Sequence, residues 1–304
     1  MKLDRDAWEK IMIKMMAGQL QENPFTESQV EKGRAFLTNW CKERGFAPPK
    51  LAGDISQGPE LRLLQAFMRC CEDPDAEALD LYCKGVRLGH KLRMPRTPAV
   101  YEAKARWRIK YEGSATKSEE WAPNYKTARE RHSVLEAKVK EDIASGKMIL
   151  TTYGEAKAKY GDDLLLGALG LVEEGDDKFR LIHDATHKVR INNRIRTRDQ
   201  TPSPMINDIA AEMAEVEEEL ESHLAIVWDF KSAHRLIQVD AQDWGLQAYT
   251  TSDLRGGPPS PGAEIFLNTV GTFGLSTAGS WWGRMAAILV RAAHYGLGWA
   301  LRAW

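Results

Sequence analysis

No run of eighteen apolar residues occurs in this chain of 304; the best candidate, from Ala286 onward, is interrupted by Arg291, His294 and Arg302, which argues against a membrane-spanning helix. Cysteine is scarce. Cys41, Cys70, Cys71 and Cys83 all fall in the first third and form no CxxC pair, so they read as reduced thiols on helices, the alternative being a zinc site that joins Cys70 or Cys71 to Cys83 and His90. The opening Met1-Lys2-Leu3-Asp4-Arg5-Asp6 lacks the apolar core of a signal peptide, and an intracellular chain, cytoplasmic or nuclear and without membrane contact, is expected. A charge excess is missing too: the formal net charge is −1, which speaks against a generic nucleic-acid coat. Internal repeats and low-complexity tracts are absent.

What is present is ordinary globular material, 43% hydrophobic and 28% charged, long enough for two domains. Residues 1–115 read as helices. Trp8, Ile11, Met12 and Met15 recur at helical spacing, Thr26 and Gln29 form a capping box, and Pro59 and Pro98 stand where helices begin. This helical region of unknown role ends at the linker candidate Tyr111–Ser118, after which helix and strand patterns mix, so residues 120–304 are expected to be α+β. Basic residues cluster twice, from Lys84 to Lys110 and from Arg180 to Arg198, against an acidic run from Glu212 to Glu221. The basic runs read either as phosphate-backbone surfaces or as solvated faces.

The richest stretch is Ala225-Ile226-Val227-Trp228-Asp229-Phe230-Lys231-Ser232-Ala233-His234-Arg235-Leu236-Ile237-Gln238-Val239. It reads as a buried strand that ends in Asp229, then a tight helical turn and a second extended segment. A carboxylate at the end of an apolar strand is costly to desolvate unless it is paired or meets a cation, so Asp229 is a candidate metal ligand or catalytic group; a helix N-cap is the alternative.

Upstream lies Lys178-Phe179-Arg180-Leu181-Ile182-His183-Asp184, and downstream Asn268-Thr269-Val270-Gly271-Thr272-Phe273-Gly274-Leu275-Ser276-Thr277-Ala278-Gly279-Ser280-Trp281-Trp282-Gly283-Arg284. In that order the three blocks resemble the fingers motif and the first and second palm motifs of reverse transcriptases, most closely those of gypsy-like long-terminal-repeat retrotransposons. The linking segments resemble the family as well: Leu135–Met148 a helix stopped by Gly146, Gly170–Arg180 a fingers hairpin, and Asp243–Thr251 with Ala263–Asn268 a palm hairpin. The loop Arg255–Gly262 between the last two can be neither strand nor helix.

The resemblance implies an RNA-directed DNA polymerase fragment of a retroelement polyprotein, comprising fingers and a partial palm. Its partners would be an RNA or DNA template-primer and deoxynucleoside triphosphates, and its chemistry nucleotidyl transfer on two Mg2+ ions roughly 3.5 to 4 Å apart. Asp229 then matches the first metal aspartate and the Phe230 carbonyl a backbone ligand. Lys178 and Arg180 match the residues that grip the triphosphate, and Phe273 and Gly274 fall in the loop beside nucleotide and template. Two departures stand out. His234 occupies the position where the family has Tyr or Phe against the ribose 2′-hydroxyl, which implies relaxed sugar selection. No Tyr-x-Asp-Asp turn follows the helix that begins near Ser276, so the metal ligand set is incomplete and the chain as written is expected not to polymerise.

Two motifs compete with this reading. Tyr160-Gly161-Asp162-Asp163 imitates the missing turn and would suit a permuted polymerase, but Gly154–Lys159 before it reads as an exposed helix. His183 and His187, four apart, would suit zinc on a helix, yet their flanks are strand-like and a fingers turn fits better. A non-catalytic nucleic-acid-binding or structural protein derived from the same fold is the alternative function, and a helical interaction module with an accidental resemblance is a third.

Overall fold

The computed structural model describes residues 25–48, 61–90, 92–98, 119–175, 178–195, 197–199, 205–214 and 230–297, with positions 10, 13–14, 17 and 19 before them. The expectations for Trp8, Ile11, Met12 and Met15, for Pro59, for the linker 111–118, for the strand ending in Asp229 and for most of the acidic run lie outside the described residues. The chain divides into two compact units, residues 1–54 with 59–79 and residues 55–58 with 80–304.

In the first unit the capping box forms as its spacing requires. The Thr26 hydroxyl accepts from the Gln29 amide, and Gln29 Oε1 accepts from the Thr26 amide at 2.8 Å, which starts α1 (Glu27–Glu43). Leu37, Trp40 and Cys41 of α1 pack on Leu63, Ala66, Phe67 and Cys70 of α2 (Leu61–Cys70). All four cysteines are free thiols, and burial pushes the Cys41 thiol up to about 12, so it stays protonated at neutral pH.

Helix α3 (Leu79–Lys84) leads into the second unit. Val86 bridges to Val239, and the Arg87 guanidinium forks onto Asp243 at 2.9 and 2.8 Å. Residues 82–98, which the sequence pattern groups with the N-terminal helices, are therefore built into this unit. The order continues α4 (Lys126–Glu130), α5 (His132–Ala144), β1 (Met148–Thr152), α6 (Tyr153–Tyr160), β2 (Ala168–Glu173), β3 (Phe179–Asp184), α7 (Ile191–Arg194), α8 (Ile206–Ala214), β4 (Ala248–Tyr249), β5 (Glu264–Asn268) and α9 (Ser276–Leu297). The unit is thus α+β.

Strands β1, β5 and β4 form one antiparallel sheet in that order, with Phe266 opposite both Leu150 and Tyr249. Both faces of β5 are covered, and its period of two sorts the side chains. Phe266 joins Leu135, Val139, Met148, Leu169, Leu171 and Tyr249, whereas Ile265 and Leu267 join Ala156, Leu164, Leu166, Ala248 and Leu254. Strands β2 and β3 make a separate antiparallel hairpin, Leu169 opposite His183 and Val172 opposite Arg180, as expected for Gly170–Arg180. Helix α9 starts where the Ser276 amide donates to Asn192 Oδ1 at 2.9 Å, and it buries Ala278, Trp281, Met285 and Ile288 along one face. Among the described residues no helix is long and apolar enough to cross a membrane.

Candidate functional site

The β2–β3 hairpin, the segment 230–236 and the approach to α9 converge on a cleft of about 1080 Å³. Lys178 and Arg180, both on the hairpin, Phe230 and His234 from the middle segment, and Phe273 before α9 all line it. Five candidates from three separated blocks thus face one space. Gly274 adjoins them in the chain. Asp229, the seventh candidate and the proposed metal ligand, lies outside the described residues.

Backbone or ring contacts position these residues. Lys178 closes the hairpin tip, where its amide donates to Gly175 O at 2.9 Å and its carbonyl accepts from the Glu174 amide at 2.8 Å. Two residues on, Arg180 lies on β3, opposite Val172. Its guanidinium pairs with Glu174 and lies 5.2 Å from the centre of the Phe273 ring. That pair is about half exposed on the arginine side, so an anion could take Glu174's place at a cost of roughly 0–1 kcal/mol. On its far side Phe273 meets the His234 ring, centroid to centroid 5.2 Å at 67°. Phe230 is exposed and stands edge-on to Trp282 at 5.1 Å.

Two glycines allow these close approaches. Gly274 has φ +104, and a Cβ there would lie 1.9 Å from the His183 carbonyl oxygen; Gly271 would carry one 2.6 Å from the His234 carbonyl oxygen. The β3 strand and the turn at 234 can press against residues 271–274 only because both positions lack a side chain. The Phe273 carbonyl in turn accepts from the His183 amide at 3.0 Å.

Beneath the cleft lies a polar network that single-motif reading missed. Arg235, 9% exposed, pairs with Asp142 of α5 at 2.6 Å and donates to Asn268 Oδ1 of β5 at 2.7 Å. Asn268 Nδ2 donates to Gln247 O at 2.9 Å, and Gln247 Nε2 donates back to Asn268 O and to Val270 O. The turn bearing His234 is thereby tied to a helix and to the sheet. The signal available in the sequence was an arginine directly after a candidate site residue, between Ala233 and the apolar Leu236–Ile237. His183 is a second hidden support. It is 3% exposed, its Nε2 lies 3.3 Å from Ala248 O, and burial lowers its pKa to about 4, so the ring is neutral.

The cleft is cationic. Lys138, Lys147, Lys178, Arg180, Lys231 and Arg235 line it together with three carboxylates, Glu141, Asp142 and Glu174. Among the described residues the four lysines have no ion-pair partner, whereas both arginines are paired. The two basic runs are less free: Arg87 is committed to Asp243, Arg96 to Asp199 and Lys188 to Glu119.

The competing motifs have these positions. Tyr160 ends α6 and Gly161–Asp163 form a 3-10 turn, not the strand-flanked hairpin that metal-binding aspartates of that kind need. Asp163 lies 3.7 Å from His90 instead. His183 sits on β3 and His187 in the turn beyond it. Among the described residues no three His, Cys, Asp or Glu side chains are grouped to hold a metal ion. No family model matches the chain, and no curated protein matches it.

Proposed function

We propose that residues 120–304 are the fingers and an incomplete palm of a reverse transcriptase of the gypsy-like retrotransposon type, RNA-directed DNA polymerases that work on a template-primer and deoxynucleoside triphosphates. The observation that carries this reading is the meeting of Lys178, Arg180, Phe230, His234 and Phe273, drawn from three blocks far apart in sequence, in one cationic cleft. The antiparallel pairings β2–β3 and β4–β5 support it, since they fall on the segments expected to form a fingers hairpin and a palm hairpin.

In this reading Lys178 and Arg180 hold the triphosphate, Arg180 exchanging Glu174 for phosphate oxygens. His234 lies under the sugar, its ring against Phe273 and its turn tied down through Arg235. Magnesium would supply the Lewis acid for transfer, but the described residues do not by themselves fit a metal pair. A second reading, a nucleic-acid-binding or structural protein that does not catalyse, draws on the same observation: one aspartate, Asp229, answers to a ligand set of two or three. Primer extension on an RNA template with Mg2+ tests both. Template-primer should bind without being extended. Robust extension would show a complete metal site and refute the incomplete-palm reading, and failure to bind template-primer would refute the polymerase reading and leave only a structural role.

A further inference from the structure

Three of the four cysteines fall in the first unit, and helical spacing brings two of them together. On α2, Leu63, Ala66 and Cys70 are three and four positions apart and share one face; on α1, Leu37, Trp40 and Cys41 share another at i, i+3 and i+4. Those are the faces that pack, beside the Trp40 and Phe67 rings at 5.7 Å between centroids. The Cys41 thiol, fully buried there, has the Cys70 thiol as its hydrogen-bonding neighbour. Both backbones are pinned at the contact. The Cys41 carbonyl accepts from the Arg44 and Phe46 amides at 3.1 and 3.0 Å, and beyond Cys70 the Cys71 amide donates to Phe67 O at 3.1 Å and the Asp73 amide to Met68 O at 3.0 Å.

The thiols differ in access. Cys41 is 0% exposed, whereas Cys70 and Cys71 are half-buried, so a reagent in solution meets Cys70 or Cys71 first. Cys71 is a poor disulfide partner for Cys70: adjacent Cα atoms lie about 3.8 Å apart, short of the roughly 4.4–6.8 Å that a disulfide spans. Arg44, stacked on the Trp40 ring at 3.8 Å from its centre, places a positive charge beside Cys41, which favours the thiolate that disulfide exchange requires.

We propose that Cys41 and Cys70 are a redox modification site, closed to a disulfide by a low-molecular-weight disulfide such as glutathione disulfide, with Cys70 as the entry thiol and Cys41 completing the bond. The Cys70 thiolate attacks one sulfur of the reagent, its S–S bond breaks, and one glutathione leaves as thiolate. Cys41, giving up its proton, then attacks the Cys70 sulfur of the mixed disulfide and displaces the second glutathione. The two protein thiols lose two electrons, glutathione disulfide gains them, and the two thiol protons end on the two glutathiones. Burial raises the Cys41 thiol to about 12, so the second step is the slow one and the Cys70 adduct forms first. The product ties the end of α1 to the end of α2.

The test incubates the reduced full chain, dilute and undenatured, with glutathione disulfide, quenches with acid, alkylates the remaining thiols in denaturant, and reads intact mass and peptide map. Free thiols should fall from four to two, with the peptides of Cys41 and Cys70 joined, Cys71 and Cys83 alkylated, and dithiothreitol restoring all four. Cys41→Ala should halt the reaction at one glutathione on Cys70, and Cys70→Ala should leave Cys41 unmodified. Far-ultraviolet circular dichroism that matches the unsubstituted chain shows that neither variant has lost its helices. Four alkylatable thiols throughout, a lasting glutathione adduct on the unsubstituted chain, a bond that joins Cys71, or a link that forms only between chains would each overturn the proposal.

Discussion

Removing Asp142 is the sharpest probe of how the cleft is supported. Asp142→Ala leaves the Arg235 guanidinium 9% exposed with Asn268 Oδ1 at 2.7 Å as its remaining short side-chain contact. Stranding a fully buried charge costs about 3–5 kcal/mol. Here the Asp142 side chain is 22% exposed, so water reaches the vacated space, and about 2–3 kcal/mol is the reasonable expectation. Arg235→Met removes the charge itself. It leaves Asp142 partly solvated and Asn268 Oδ1 without a donor, a loss of about 1–2 kcal/mol. In the double variant the stranded charge is gone, so the sum of the single losses should exceed the double loss by about 1–2 kcal/mol. Urea unfolding followed by tryptophan fluorescence reads these differences, and for a unit of this size each kcal/mol corresponds to about 2–4 °C in Tm. If Asp142→Ala costs less than about 0.5 kcal/mol, or the two changes add without coupling, Arg235 does not tie the turn to α5 and the support described for His234 is wrong.

Three further outcomes follow from the geometry. The His183 ring has its pKa lowered to about 4 by burial, so between about 4 and 6.5 the unfolded chain binds the extra proton; stability should fall by roughly 3 kcal/mol as pH drops through that window, and His183→Gln should flatten the slope seen in urea midpoints. Gly274→Ala sets a Cβ 1.9 Å from the His183 carbonyl oxygen at φ +104, which should cost about 3 kcal/mol or more and displace Phe273, visible as a lowered Tm. Replacing His234 by Tyr should raise the ratio of deoxynucleoside to ribonucleoside triphosphate affinity and His234→Ala should lower it, as competition titrations will report; an unmoved ratio places His234 away from the sugar.

Local rules made much of this structure legible. Thr26 and Gln29 announced a capping box because that motif needs only four residues. Gly146, at φ +70, marked the end of α5. The resemblance of Gly170–Arg180 and of Ala263–Asn268 to hairpin segments of reverse transcriptases pointed to β2–β3 and β5, and the proline-rich stretch disclosed the loop before β5. What stayed hidden is non-local. Arg235 and Asp142 are ninety-three positions apart in number, and nothing in either neighbourhood signals the 2.6 Å contact. The helix expected over Leu135–Met148 ends at Ala144, and Met148 instead opens β1, which has too few residues for a period and gains its definition from pairing with β5. Residues 82–98 looked helical by association with what precedes them, yet Val86 and Arg87 owe their place to Val239 and Asp243. The same holds for the cleft: its residue types were visible in three blocks, but the ring of Phe273 between Arg180 and His234 was not.

The central claim is that this cleft receives a nucleoside triphosphate. Titration of the 304-residue chain with a deoxynucleoside triphosphate in Mg2+, followed by tryptophan fluorescence and repeated with Arg180→Ala, tests it most directly. The account predicts saturable binding that Arg180→Ala weakens about tenfold or more, with much smaller loss of template-primer affinity. Absence of triphosphate binding, or equal losses for triphosphate and template-primer, would contradict it.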